Sequence, residues 1–357
     1  MNIFLLGATG SIGTQVLEVI RNDVNYTLIS ISVGHNIAKA REIIREFHPQ
    51  YVSVQEEKDF KKLQSEFLDI TFGYGEESLI TAATYGECGG SLINAVVGMV
   101  GLKPTIAAIN KHRNILLANK ETLVVAGDII TKLAKEKGVA LIPIDSEHSA
   151  ILQCLAGREK EEIKKIILKH PNWHMGKKIT IDSATMVNKG LEVIEAHHLF
   201  GVDYENIQTI IHYESIIHSM VEFVDNSIMA QLATPDMRIP IQYALTYPHK
   251  KPSKLNNSFD WKSLSLLHFK EMDYERFPCL SLAYTVGKQG GIMPTVFNAS
   301  NEAAVSLFID GKIEFLDIEK IIWDAVDKAK NVINPSIDDI INTEREIKKQ
   351  IFEKYRD

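Results

Sequence analysis

Cysteine is scarce in this chain. Cys88, Cys154 and Cys279 stand far apart and odd in number. That excludes a disulfide framework and every paired zinc spacing, and it fits a reducing compartment with all three as core thiols. A basic excess is missing too. Lysine and arginine total 39 against 46 acidic residues, a formal net charge of −7, so no positive field argues for nucleic acid and no polybasic helix for a membrane surface. No apolar run is long enough to cross a bilayer. The start, MNIFLLGATG, enters a folded-domain motif with no basic n-region and no Arg-rich presequence, so a cytoplasmic protein is expected. Internal repeats and low-complexity tracts are absent. What remains is an ordinary globular composition, with 45% hydrophobic and 24% charged residues over 357 positions, enough for two or three domains.

What is present begins with a strand, a glycine turn and a helix. Residues 2–6 are apolar after the first, residues 14–20 are amphipathic, and Gly7-Ala8-Thr9-Gly10-Ser11-Ile12-Gly13 lies between them. Glycines so placed allow tight turning and close approach of the backbone to a pyrophosphate held at the helix N-terminus. The spacing is G-x-x-G-x-x-G rather than G-x-G-x-x-G, so a plain strand-to-helix turn is the ordinary alternative. A second apolar run, 26–33, ends at Gly34-His35-Asn36, where an NAD enzyme places a carboxylate against the ribose 2′-hydroxyl. No carboxylate follows here, which favours the 2′-phosphate of NADP over NAD, although a solvated loop His is an equal reading of His35 alone. Runs 91–97, 114–118 and 139–144 alternate with helical stretches, as a parallel doubly wound sheet requires. Asn119-Lys120-Glu121 falls just past a strand end, where such sheets bind ligands, so Lys120 is a candidate site residue.

The middle of the chain carries the densest chemistry. Asp145-Ser146-Glu147 ends another buried-type run, and a D-x-E triplet is in itself commonly a solvated loop. Downstream, residues 170–192 read HPNWHMGKKITIDSATMVNKGLE. Ser183, Thr185, Asn188 and Lys189 follow the apolar run 179–181 and precede a helical pattern, a setting that favours a phosphate group. Glu192 lies one turn on. With Asp145 and Glu147 it offers a third carboxylate, a donor set suited to Mg²⁺ or Mn²⁺. A zinc site from His170 and His174, or from His212 and His218, ranks lower, because no cysteine accompanies either pair. Trp173 and Met175, among loop-forming residues, suit a segment that closes over a ligand, the alternative being a loop pinned to the core. Runs 207–211 and 228–232 read as strands, with Ser215 and His218 near one another between them. Pro235-Asp236-Met237-Arg238 turns into a further helix.

Residues 250–257 read as a linker. Stretches 280–288, 300–309, 318–332 and 337–355 are amphipathic at helical spacing and make a terminal helical domain. Asn298-Ala299-Ser300-Asn301-Glu302 has a catalytic reading, but the stronger expectation is that it caps and opens one of these helices. The expected organisation is α/β. An N-terminal Rossmann-like dinucleotide domain spans 1–145, a central α/β catalytic and dimerisation domain 146–249, a linker 250–279 and a C-terminal helical domain 280–357.

GATGSIG, ILLANKE, PIDSEH, HPNWHMGKKITIDSATMVNKGLEVIEA, SIIHSM and PDMRIPIQYALTYP together closely resemble the 1-deoxy-D-xylulose 5-phosphate reductoisomerase family, over nearly the whole chain. The resemblance implies a homodimeric enzyme of the non-mevalonate isoprenoid pathway, dependent on NADPH and on Mg²⁺ or Mn²⁺, with Co²⁺ a further candidate. Its substrate would be 1-deoxy-D-xylulose 5-phosphate, rearranged by retro-aldol cleavage and re-aldolisation and then reduced to 2-C-methyl-D-erythritol 4-phosphate. It assigns the metal to Asp145, Glu147 and Glu192, with Lys120 and Ser146 beside the chelated oxygens. It gives the phosphate to Ser183, Asn188 and Lys189, a closing flap to His170 and Trp173, and the pocket wall to Ser215, His218 and Met237. Thr9, Gly10, Ser11 and Ile12, within the turn from Gly7 to Gly13, would touch NADPH. Gly34, His35 and Asn36 would face its 2′-phosphate, and Asn119 and Glu121 its nicotinamide side.

The chain departs from the family in one large respect. Where the family carries a T-A-S-G-G-P-F type segment and a polar helical stretch before HPNW, Leu168 here runs directly into Lys169-His170. A serine and glycine N–H donors for the substrate phosphate are thereby missing, each worth on the order of 1.5–3 kcal/mol. A true deletion, an excised flap and a sequence numbered across an omitted segment all stay open, and a catalytically impaired NADPH-binding paralogue is the competing function. Smaller departures are His35 for a Lys or Arg, Tyr213-Glu214 for Pro-Gln, and Ala233 for a glycine.

Overall fold

The computed structural model describes residues 1–21, 23–170, 177–253, 255 and 266–355. The chain divides into two compact units. The first comprises Met1–Thr122, Ile129–Ser149 and Asp236–Ser258, and the second Leu123–Asp128, Ala150–Pro235 and Phe259–Asp357.

In the first unit, β1 (Asn2–Leu6), β2 (Thr27–Val33), β3 (Tyr51–Val54), β4 (Thr71–Tyr74), β5 (Ser91–Asn94), β6 (Asn114–Leu117) and β7 (Leu141–Pro143) form one sheet in the order β4-β3-β2-β1-β5-β6-β7. Every pairing is parallel. The short apolar runs make this sheet because strands covered on both faces need no polar alternate; Ile3, Leu5, Leu6, Leu92, Ile93, Ile115 and Leu117 are all fully buried. Connecting helices are α1 (Ser11–Ile20), α2 (Ile37–Phe47), α3 (Glu57–Glu66), α4 (Gly75–Thr84), α5 (Leu102–Asn110) and α6 (Lys120–Lys137). Strand order reverses between β1 and β5, and a crevice outside the strand ends at such a reversal is where doubly wound sheets take ligands. Strands β5, β6 and β7 are shorter than the apolar runs that contain them. β3 and β4 extend the sheet beyond the runs named above.

Helix α7 (Ser146–Cys154) follows β7. In the second unit, β8 (Ile163–His170), β9 (Ile207–His212), β10 (Ile217–Phe223), β11 (Ile228–Leu232) and β12 (Phe269–Glu271) form a mixed sheet in the order β11-β10-β8-β9-β12. Only β8 and β9 run parallel. Helices α8 (Lys177–Ala184) and α9 (Val187–Phe200) lie between β8 and β9 in sequence. Helix α10 (Arg238–Thr246) belongs instead to the first unit, where it packs on α1, with Arg238 reaching Glu18 at 3.5 Å. The stretch 250–279, expected as a linker, contains β12, whose three residues pair with β9. Helices α11 (Pro278–Gln289), α12 (Met293–Ile309), α13 (Phe315–Lys328) and α14 (Ile337–Lys354) complete the second unit.

Two expectations are corrected. Cys88 is exposed, while Cys154 and Cys279 are buried as core thiols; the glycines around Cys88 make a surface loop that leaves its thiol uncovered. Residues 298–302 sit in the middle of α12 rather than at its start, because Pro294 in its first turn opens the helix earlier.

Candidate active site

The first unit supplies a glycine turn at a helix N-terminus and a carboxylate pair. β1 delivers the chain to Gly7, whose φ of +82° and whose place 2.5 Å (measured from an added Cβ) from the Ala95 carbonyl both require glycine. Gly7 N–H donates to Ser32 Oγ at 2.9 Å and Ala8 N–H to the Ser32 carbonyl, tying the turn to β2. Gly10 is the N-cap of α1 and makes no side-chain cap hydrogen bond, so the first turn, at Ser11 and Ile12 after Thr9, keeps amides that the cap residue does not satisfy. Gly13 packs the helix down on the turn; a Cβ there would meet the Gly7 carbonyl at 2.2 Å.

Past β2, Gly34 and the exposed His35 lead to Asn36, which is the N-cap of α2 and accepts from Lys39 N–H at 3.1 Å. A carboxylate does lie here, although the sequence after β2 shows none: Glu56, beyond β3, sits 3.4 Å from His35 Nδ1 and also pairs with Lys58. Sequence reasoning missed Lys39, whose ammonium donates to Thr14 Oγ1 at 2.6 Å and so reaches from α2 to α1. Its place three residues after the N-cap, on the helix face that turns toward the glycine loop, was the available signal.

Asn119 caps α6, its Oδ1 accepting from Thr122 N–H, while its Nδ2 lies within hydrogen-bonding distance of the Val96 and Gly98 carbonyls and of Glu121 Oε2. Glu121 also accepts from Gly98 N–H at 3.1 Å. These two residues therefore fix the loop after β5 against the start of α6. Lys120, between them, pairs with Asp145 Oδ2 at 2.6 Å. Asp145 is the cap of α7, its Oδ1 accepting from Glu147 and His148 N–H at 3.0 and 3.2 Å. Burial alone would raise its carboxyl, but Lys120 and His148 outweigh that and hold it well below the ordinary range, so it is ionised. Glu147 is buried beside it and accepts from Ser146 Oγ.

The second unit supplies a polar, mostly buried helix pair. Residues 179–181, an apolar run by sequence, are helical within α8, so Ser183 sits in that helix's last turn rather than ahead of a helix. Asn188 and Lys189 occupy the first turn of α9, after Met186 in a left-handed conformation. Ser183, Thr185, Asn188, Lys189 and Glu192 are all buried. The Glu192 carboxylate accepts from Asn188 Nδ2 at 2.6 Å and from Lys189 Nζ. Ser183 Oγ has no hydrogen-bond partner among the described residues. Ser215, at φ +54°, and His218 on β10 are buried as well. Met237, the N-cap of α10, is half-buried in the first unit. His170 ends β8. Trp173, with His174 and Met175, lies outside the described residues. The weaker zinc reading loses ground at His212, whose ring stacks on Phe269 with Nδ1 2.9 Å from the His268 carbonyl. Asp182, which the sequence did not mark, and Asn301, which it marked only as part of a helix start, emerge as a buried pair.

Three family models match this chain. The 1-deoxy-D-xylulose 5-phosphate reductoisomerase model covers residues 3–127, its C-terminal domain 166–200, and the DXP reductoisomerase C-terminal domain 232–350. The reductoisomerase of Listeria innocua is 51% identical over 369 aligned positions, covering 96% of this chain and 97% of that protein. The chain belongs to the 1-deoxy-D-xylulose 5-phosphate reductoisomerase family. A Geobacillus reductoisomerase is 49% identical, with 98% of each chain covered. The Zymomonas mobilis reductoisomerase, solved with NADPH, superposes with a TM-score of 0.91 at 35% identity over 99% of this chain and 98% of that one. A reductoisomerase solved with NADPH, fosmidomycin and magnesium gives 0.93 at 34% identity over 100% and 98%. The Listeria alignment is longer than this chain's 357 residues, so that reductoisomerase carries residues with no counterpart here. A shortfall of that kind is what the junction after Leu168 implies. Among the described residues no helix is long and apolar enough to cross a membrane.

Proposed function

We propose that this chain isomerises and reduces 1-deoxy-D-xylulose 5-phosphate to 2-C-methyl-D-erythritol 4-phosphate, using NADPH and a divalent metal ion. The observation that carries the reading is Asp145, a buried carboxylate kept ionised by Lys120, with buried Glu147 two residues on. Glu192 is the third ligand, assigned by family resemblance and by its burial beside Lys189. An all-carboxylate donor set suits Mg²⁺ or Mn²⁺ better than zinc. Such a cation, when bound, polarises the ketone and neighbouring hydroxyl oxygens of the substrate. Lys120 and Ser146 orient those oxygens. Ser183, Asn188 and Lys189 hold the phosphate, and Ser215, His218 and Met237 line the pocket, with His170 and Trp173 assigned to the flap by resemblance.

NADPH supplies the hydride. Gly7, Thr9, Gly10, Ser11, Ile12 and Gly13 would hold its pyrophosphate at the N-terminus of α1. Gly34, His35 and Asn36 would receive its 2′-phosphate, with Lys39 as an added cation. Asn119 and Glu121 border the nicotinamide side through the loop they fix. The enzyme acts as a cytoplasmic homodimer, so equilibrium sedimentation should return twice the chain mass.

The test is NADPH oxidation with 1-deoxy-D-xylulose 5-phosphate and Mn²⁺, beside the same sample in excess EDTA. Turnover that chelation abolishes is expected. Glu192→Gln should lose turnover while binding NADPH normally; full activity in that variant would overturn the metal assignment. Absence of turnover in a folded, NADPH-binding wild type would instead favour the impaired paralogue, a reading that the retention of Asp145, Glu147 and Glu192 with Ser183, Asn188 and Lys189 makes the weaker one.

A further inference from the structure

We propose that Asn301 is a positioning residue for the substrate phosphate, acting from the terminal helices through Asp182 and α8. The inference rests on the reading that Ser183, with Asn188 and Lys189, holds that phosphate.

Helix α12 carries Thr295, Asn298, Ser300 and Asn301 at 0% exposure in its interior. Asparagine is a poor helix former, and a buried amide is costly unless it is hydrogen-bonded. Asn301 nonetheless spends its amide on one partner: Nδ2 donates to Asp182 Oδ1 at 2.9 Å, with both side chains buried. The other Asp182 oxygen accepts from Lys178 Nζ at 2.9 Å, one turn back on α8. An amide is the fitting donor here, because it reaches a buried carboxylate without adding a second charge. Its own Oδ1 is buried with no partner among the described residues, a cost that marks the donor side as the one retained.

Helix α8 has eight residues, too few to hold a helical geometry without tertiary ties. Ser183 is the next residue after Asp182, so fixing Asp182 about the helix axis fixes the direction of Ser183 as well. The Ser183 hydroxyl, buried and without a partner among the described residues, is a donor held ready for an anion. Asp182 and Asn301 thus link the four-helix end of the chain to the phosphate donors.

The experiment is steady-state kinetics on the full-length enzyme. Asn301→Leu removes the donor at nearly constant volume, and Asn301→Ser leaves a polar group too short to reach Asp182. Both should raise KM for 1-deoxy-D-xylulose 5-phosphate roughly ten- to hundredfold, as loss of a hydrogen bond to a charged group predicts. The kcat should stay within about threefold and the Kd for NADPH should not change, since uniform binding is what is lost. The exchanged pair, Asp182→Asn with Asn301→Asp, should recover most of the affinity that either single change loses. With the unphosphorylated sugar, wild type and Asn301→Leu should perform alike. An unchanged KM, a fall in kcat alone, or an NADPH affinity that drops in step with stability would overturn the proposal. Ser183→Ala separates the two levels of argument. If it raises KM while Asn301→Leu does not, the positioning role falls and the phosphate reading stands; if it leaves KM unchanged, both fall.

Discussion

Gly13 tolerates no side chain, because a Cβ there would lie 2.2 Å from the Gly7 carbonyl and 2.7 Å from Ala8 Cα, both of them backbone. Gly13→Ala should therefore lift α1 off the turn and raise the Kd for NADPH at least about tenfold while the rest of the sheet stays folded. Fluorescence titration of NADPH checks it, and an unchanged Kd would remove the turn from the cofactor site. His198 makes a second residue-scale case. Burial pushes its imidazole down to about 4, with Asp128 pulling the other way and His197 adding to the fall. In the unfolded chain it protonates near 6.5. Below that pH the unfolded state binds a proton that the folded state refuses. The contribution is therefore complete above about pH 6.5 and is lost as the pH falls toward 4, on the order of 3 kcal/mol in all. Urea midpoints at pH 7 and 4.5 should show wild type losing more stability than His198→Gln; equal losses would sink the assignment.

At the scale of elements, the close approach of α9 and α11 makes the sharpest prediction. Gly190 faces Ala283, and a Cβ on Gly190 would stand 2.4 Å from that methyl. Gly190→Ala should cost about 1–3 kcal/mol through overpacking. Because Asn188, Lys189 and Glu192 ride on the same helix, turnover should fall further than stability, which kcat beside a urea midpoint would show. A proportionate fall would mean that α9 is scaffold only. Helices and strands were legible in the sequence where one period dominated: β1, β2, β9, β11 and α14 lie within one residue of the runs that announced them. α8 was harder, since Ile179-Thr180-Ile181 alternates like a strand yet lies in a helix. The early start of α12 was hidden as well, because its buried polar residues break the amphipathic pattern that marks a helix. The residues proposed for metal and phosphate stood out in the sequence because their types and spacing are unusual together. Lys39 and Asp182–Asn301 did not, because each depends on which residues the fold brings together and on no local motif.

Across the whole molecule, the proposed ligands divide between the two compact units in a way that hydrogen exchange can map. Every residue assigned to NADPH lies in the first unit, at the glycine turn, at 34–39 and around 119–121. Of the carboxylates proposed for the metal, Asp145 and Glu147 belong to the first unit and Glu192 to the second. A ligand at a hundred times its Kd stabilises the state that binds it by about 2.7 kcal/mol, which amounts to on the order of a hundredfold slower exchange where opening competes with binding. NADPH alone should thus protect 7–13, 34–39 and the 95–98 loop that Asn119 and Glu121 hold. Mn²⁺ alone should protect 145–149 together with 187–192, and EDTA should remove that protection and leave the NADPH pattern intact. Mn²⁺ protection confined to 145–149 would mean that Glu192 is not a ligand, and its carboxylate would then serve Asn188 and Lys189 on its own helix.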